Sequence, residues 1–335
     1  MTTRTQIFTD IDYGKDGKQV DWLYLPHSVT RSAYGNIAIP IAVIKNGEGP
    51  TALLTAGTHG DEYEGQIALC RLVRSIQPTD IKGRIIIMTA ANLPAVMAGA
   101  RVSPIDGGNL NRAYPGDAGG TPTFAIAHYI DSVLLPLANF YFDCHAGGSS
   151  LQYEPFVSMR TSDNPELDRR AMAALKAFGA PMGLVWVHAH GTGLAVSSAS
   201  QRGIVALGGE YGGAGSVSRH GIAIVERGIR NLLAHAGIIE PPEKPAVETE
   251  TRLIEVRNRD YYALAPDAGV FEPAVELGQE VEAGQFCGEL HFVDDPARAP
   301  LPTHFRTAGR VVCKRHLGRV ERGDCVAHLA TPLWS

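Results

Sequence analysis

Short apolar runs that end beside glycines and polar residues alternate with segments of helical period through the first 240 residues, and few architectures satisfy that pattern. Residues 50–57 (PTALLTAG) read as a buried strand closed by glycine. In the segment 62–76 that follows, Ile67, Leu69, Leu72, Val73 and Ile76 are spaced for one helix face. Further strands are expected at 84–89, 140–143, 184–187 and 203–210, with helices near 123–135, 165–178 and 217–236. Strands alternating with helices predict an α/β domain built on a largely parallel sheet. Sheets of that kind place ligands at the carboxyl ends of their strands.

The pattern breaks at 239–251, where prolines and glutamates read as a linker between a domain at 1–240 and a second at 251–335. No long helical period follows it; a weak repeat does. Ala-Gly-Val at 268–270 leads to Leu277-Gly278, Val281-Glu282 and Gly284-Gln285, while Ala-Gly-Arg at 308–310 leads to Leu317-Gly318, Val320-Glu321 and Gly323-Asp324. Two such units resemble the paired halves of a biotinyl/lipoyl-type barrel-sandwich. A carrier domain needs a lysine on the hairpin that joins the halves, and HFVDDPARAPLPTHF has none. The expectation is a smaller all-β domain that caps an active-site cleft.

Composition narrows the function classes. A net charge of -5 gives no electrostatic reason to expect nucleic acid or an anionic membrane. The sequence has no run of ~18 apolar residues to span a bilayer, and no basic stretch leading into an apolar run at its start. The 5 cysteines are scattered without a C-x-x-C, which reads as reduced thiols in a cytoplasmic protein. The 37 glycines have no repeating period, so they point to tight turns and close backbone approaches.

Most of the chemistry-bearing residues sit at the predicted strand ends. In Thr58-His59-Gly60-Asp61-Glu62, an imidazole and a carboxylate three residues apart can converge across a strand-to-helix turn. Alone, H-x-x-E arises often by chance, and a surface histidine beside a helix N-terminal glutamate explains it equally well. Asp143-Cys144-His145-Ala146-Gly147-Gly148 supplies a third ligand candidate in His145. Two histidines and one glutamate leave a fourth position for water, the arrangement of a catalytic zinc. Asp143 is then free to orient a ligand from outside the coordination shell, and strand alternation turns Cys144 away from His145. Glu210, among the glycines of GGEYGG, can serve as general base and then general acid; a solvated loop glutamate is the plainer alternative. A glycine-rich loop carries Arg101 and Gly107-Gly108-Asn109-Leu110-Asn111-Arg112. An arginine fork suits a substrate carboxylate, and a second arginine suits an oxyanion. His188 and His190, two apart, would share a face on a strand but lack a third partner nearby in sequence, so they read as pocket wall, and His128 reads as structural.

THGDE, GGNLNR, DCHAGG and GGEYGG, in that order, resemble the succinylglutamate desuccinylase/aspartoacylase family of zinc carboxypeptidase-like hydrolases. The resemblance spans roughly 30–240 and extends into the β-rich C-terminal part. It implies a mixed, largely parallel sheet flanked by helices. One zinc per subunit would be held by His59, Glu62 and His145, with Glu210 as base and acid. It further implies that Asn111 and Arg112 bind the substrate carboxylate and that Arg101 polarises the scissile carbonyl. The family often has aspartate where this chain has Asn109, and the spacing from Arg101 to Arg112 looks longer than in aspartoacylase. Within the family, GPTALLTAGTHGDEYEGQIAL, SPIDGGNLNR and GIRNLLAHAGII look most like the bacterial deacetylases of ectoine breakdown, which act on Nα-acetyl-L-2,4-diaminobutyrate. The implied partner is a small N-acyl amino acid, with homo-oligomerisation left open. Other acyl-amino-acid deacylation (acyl-aspartate or succinyl-glutamate type), peptide carboxypeptidase action, and a binding protein without catalysis are the competing readings.

Overall fold

The structure, a computed structural model, describes residues 5–187, 193–241 and 250–333. The described residues run through β1 (Gly17–Pro26), β2 (Asn36–Asn46), β3 (Thr51–Ala56), α1 (Glu64–Ser75), β4 (Gly83–Met88), α2 (Leu93–Ala98), α3 (Pro122–Tyr129), β5 (Phe140–His145), β6 (Leu151–Tyr153), β7 (Phe156–Arg160), α4 (Pro165–Phe178) and β8 (Met182–Trp186). Next come α5 (Ala195–Gln201), β9 (Val205–Glu210) and α6 (Arg219–His235). The C-terminal part adds β10 (Arg252–Val256), β11 (Tyr262–Leu264), β12 (Gly269–Pro273), β13 (Glu280–Val281), β14 (Phe286–His291), β15 (Leu301–His304), β16 (Gly309–Arg315), β17 (Arg319–Val320) and β18 (Cys325–Pro332).

Every strand and helix expected from the apolar periods is present, with ends that shift by a few residues. The main sheet runs β1-β2-β4-β3-β5-β9-β7-β8-β10-β18-β16-β13, with β11 pairing β18 and β6 pairing β16. Its centre, β4-β3-β5-β9, is parallel. β7 runs antiparallel to β9 but parallel to β8, and β10 continues parallel to β8. The fold is therefore the mixed, largely parallel α/β arrangement, joined to a β-rich C-terminal part. β10 lies beyond the proposed boundary, yet it extends the main sheet, and β18 pairs with it from the other side.

The central strands are buried on both faces, so they read as continuous apolar runs. β3 is buried at every position, and β4 at all but Arg84. Along β5 the alternation sorts side chains into two layers. Phe142 and Cys144 join the layer with α1, α4 and α6, while Tyr141 joins the opposite layer with α3 and α5. The helix expected at 123–135 ends as α-helix at Tyr129, passes through a π-turn at Ile130–Leu134 and tightens at Leu135–Leu137. Pro136 cannot donate to a helical ladder, which accounts for the break. His128 lies half-buried in the last turn of α3.

The repeat seen in the sequence becomes two interlocked β units. β12 of the first pairs with β17 of the second, and β13 of the first with β16 of the second. Their turns match in detail. Gln285 N–H donates to Glu282 O while Glu282 N–H donates to Gln285 Oε1, and Asp324 with Glu321 repeats both bonds. β14 and β15 flank the hairpin that lacks a lysine. All 5 cysteines are free. Among the described residues, no helix is long and apolar enough to cross a membrane. Most of the predicted linker (242–249), together with His188 and His190, lies outside the described residues.

Candidate active site

The carboxyl ends of β3, β5 and β9 carry three of the four motifs to one place. The chain leaves β3 through Gly57, whose φ of +67° suits a residue without a side chain. At Gly60 a Cβ would stand 1.9 Å from Ala95 O of α2, so this turn can lie against α2 only with glycine there. The turn buries His59 and Glu62, each 3 % exposed. Parallel register sets Cys144 beside Ala56 and His145 beside Glu210. Asp61 ties the first two loops together by accepting hydrogen bonds from Ser149 N–H (2.7 Å) and Ser149 Oγ (2.8 Å).

His59, Glu62 and His145 converge, with one ligand atom from each within 4.8 Å of the others. The two Nδ1 atoms face the same carboxylate: His59 Nδ1 lies 2.7 Å from Glu62 Oε1, and His145 Nδ1 lies 2.8 Å from Glu62 Oε2. The opposite nitrogens have their own acceptors. His145 Nε2 lies 2.9 Å from Asp143 Oδ2, and His59 Nε2 lies 3.1 Å from Asn109 Oδ1. An oxygen acceptor at each Nε2 fixes the ring with its Nδ1 turned into the cluster, which is how metal-binding histidines are oriented. Two imidazoles and one carboxylate, buried and aimed at a common point, fit zinc in their donor chemistry.

The second layer is equally specific. Asp143 is fully buried and takes hydrogen bonds on Oδ1 from Thr55 (2.7 Å) and Thr58 (2.9 Å). Burial alone would raise its pKa, but His145 and these hydroxyls hold it below the usual carboxylate range. Glu62 behaves likewise: burial opposes its charge, and the flanking histidines pull its pKa down. Burial would lower the His145 pKa, yet Asp143 and Glu62 raise it well above the ordinary value.

Glu210 differs. Burial and the nearby charge of Glu62 raise its carboxyl well above the usual range, against His145 and Arg101. Its Oε2 is shielded from solvent and has no hydrogen-bond partner. A carboxyl in that environment is a stronger base than an exposed glutamate, which suits it to take a proton and return it. Arg101 is about half exposed, with Nη1 3.4 Å from Glu62 Oε1. Asn111 Oδ1 accepts from Ala195 N–H, and Asn111 Nδ2 lies 3.3 Å from His145 Nε2. Arg112 donates from Nη1 to Asn111 O at 2.7 Å, and its pKa is lowered by burial and by the charge of Arg101. All seven candidate residues thus belong to one cluster of contacts and charges. Cys144 packs behind it against Gly65 of α1, and burial raises its thiol pKa.

A cavity of about 100 Å³ opens beside the cluster, lined by Asn111, His145, Glu210, Ser158, Arg160 and Trp186 among others. Asn109 sits inside a motif read from the sequence, but its contact with His59 spans 50 residues and leaves no local signal. Arg160 and Trp186 had none either, because they meet only through the parallel register of β7 and β8.

A family model described as the succinylglutamate desuccinylase/aspartoacylase catalytic domain matches residues 48–236. The N-alpha-acetyl-L-2,4-diaminobutyric acid deacetylase of Halomonas elongata is 37% identical over 97% of this chain and 94% of its own. A succinylglutamate desuccinylase/aspartoacylase structure from Rhodobacter sphaeroides superposes with a TM-score of 0.94 at 42% identity, covering 99% of this chain and 100% of that one. The product-bound ectoine utilization protein EutE (DoeB) of Ruegeria pomeroyi gives 0.93 at 38% identity, with coverage of 98% and 100%.

Proposed function

Because the chain belongs to the succinylglutamate desuccinylase/aspartoacylase family, we propose that it is a zinc-dependent amidohydrolase that removes acetate from Nα-acetyl-L-2,4-diaminobutyrate, a step of ectoine breakdown, in the cytoplasm. The observation that carries this reading is the pair of Nδ1 atoms and the Glu62 carboxylate turned toward one point beside the buried Glu210 carboxyl. The relative from Halomonas elongata supports the choice of acyl group and amino acid.

His59, Glu62 and His145 would hold the metal. Zinc, when bound, supplies a Lewis acid for the scissile carbonyl and lowers the pKa of water. Glu210 takes the proton of the attacking water and later gives it to the leaving amine, so one carboxyl acts first as base and then as acid. Arg101, at the edge of the cluster, donates to the carbonyl oxygen as it gains charge. Arg112 and the Asn111 amide hold the substrate α-carboxylate, which fixes the amide bond against the cluster.

The test is a panel of Nα-acetyl-L-2,4-diaminobutyrate, N-acetyl-aspartate, N-succinyl-glutamate and dipeptides, assayed on protein reconstituted with zinc. Turnover of the first well above the rest is expected. Preference for another acyl amino acid would overturn the substrate, and preference for dipeptides the reaction class. Glu210→Gln should lower kcat by about 100-fold or more while zinc stays bound at one per chain. Turnover equal to the parent would remove Glu210 from the mechanism.

A further inference from the structure

His328 lies in β18, in the C-terminal part, and has no solvent exposure. Neither ring nitrogen has a hydrogen-bond partner. A buried imidazole left unpaired at both nitrogens is costly and calls for an explanation. What holds the ring is stacking. Tyr262 of β11 lies 4.3 Å away between centroids at 5°, and Trp186 of β8 lies 5.4 Å away at 8°, while Tyr153 meets it edge-on at 6.4 Å. Trp186 in turn has the Arg160 guanidinium 5.6 Å from its centroid. Trp186 and Arg160 are register partners, and both line the cavity that holds Glu210, His145 and Asn111.

We infer that His328 is a positioning residue for substrate binding. Stacked between Tyr262 and Trp186, it fixes the indole that walls the cavity, and so the β-rich part sets the affinity for the group that enters there. The inference rests on the proposed reading of that cavity as part of the substrate site. His328 is remote from the reacting atoms and acts only through Trp186, so its removal should move KM and spare kcat. The stack needs a flat ring, not a ring nitrogen. Phenylalanine should therefore replace histidine without loss, whereas alanine should not.

The test uses the full-length, zinc-loaded protein with Nα-acetyl-L-2,4-diaminobutyrate. His328→Ala should raise KM by about two- to twelvefold, the range one aromatic contact is worth, with kcat within about twofold. His328→Phe should return KM to the parent value. In a Trp22→Phe, Trp334→Phe background, where Trp186 is the sole tryptophan, His328→Ala should shift the emission spectrum and His328→Phe should not. Should His328→Ala fail to fold, Tyr262→Leu loosens the same ring from its other neighbour and should raise KM in the same direction. Unchanged KM in a folded His328→Ala, or a His328→Phe that behaves like alanine, overturns the inference alone. A parent protein that hydrolyses nothing in the panel overturns the functional reading and this inference with it.

Discussion

Each imidazole of the His59–Glu62–His145 cluster is held from behind, but not by equal partners. His145 has a buried carboxylate, Asp143, whose other oxygen is fixed by two threonines. His59 has an amide oxygen, Asn109 Oδ1, which also accepts Asn111 N–H at 3.0 Å. The carboxylate raises ligand basicity more, so Asp143→Asn should weaken zinc binding by about 10- to 100-fold. Competition with a chelator measures this directly, and unchanged affinity would show that Asp143 does not orient the ligand. His328 makes a separate prediction about acid stability. Burial pushes its pKa down to about 3, whereas an unfolded histidine titrates near ~6.5. Between those values the unfolded chain binds a proton that the folded chain refuses. The stability contribution is therefore complete above the unfolded pKa and falls as pH drops toward the folded one. At pH 5.5 the expected loss is about 1.4 kcal/mol. The rings that face His328, Tyr153, Trp186 and Tyr262, carry no charge in this range. Urea denaturation at pH 7.5 and pH 5.5 should show the parent losing about 1.4 kcal/mol more than His328→Phe, since every other titrating group is common to both.

At the scale of elements, what could be read from the sequence was whatever local periodicity encodes. β3, β5 and β9 announced themselves as apolar runs because both faces are covered, and the motifs at their ends followed directly. β1 and β2 did not. β1 alternates between exposed and buried positions at the sheet edge, and β2 contains Pro40, which argues against a central strand. Pro40 is tolerated because β4 pairs with β2 only over Ala42–Asn46. β7 was hidden for another reason: it is five residues long and runs against β9 in a sheet whose centre is parallel. The candidate ligands could be named because their motifs follow directly on the apolar runs of β3 and β5. Asn109, Trp186 and His328 were not, since what matters about them is a contact far away in sequence. Element packing also explains one glycine sharply. Gly60→Ala would drive a Cβ into Ala95 O of α2. Parting the turn from α2 should cost about 1–3 kcal/mol of stability and should weaken zinc binding, because His59 and Glu62 ride on that turn. A thermal melt together with the chelator assay checks both, and a variant as stable as the parent would show that the turn can relax.

Across the whole molecule, the division into a catalytic part and a β-rich part is crossed by the sheet itself. β10 pairs with β8, β6 pairs with β16, and Arg310 grips Glu154 with two hydrogen bonds of 2.7 and 2.8 Å. A chain ending at residue 250 would leave the edge of β8 bare and expose apolar side chains of its core, Met182 and Leu184. Such edges recruit other chains, so the truncated protein should sediment as aggregate; a soluble monomer with bound zinc would show the catalytic part to be self-sufficient. The interlocked pairing of the two β units has a consequence for the order of assembly. β12 finds its partner β17 only after some 50 intervening residues have been arranged, and Trp186 meets His328 across roughly 140 residues. The contact between Glu62 and His145 spans 83 residues, and contacts still more remote in sequence are slower to form. A newly made chain can therefore bring its candidate metal ligands together, all within the first 145 residues, before His328 arrives to stack on Trp186. The candidate metal cluster can thus be in place before the stack that fixes the wall of the neighbouring cavity.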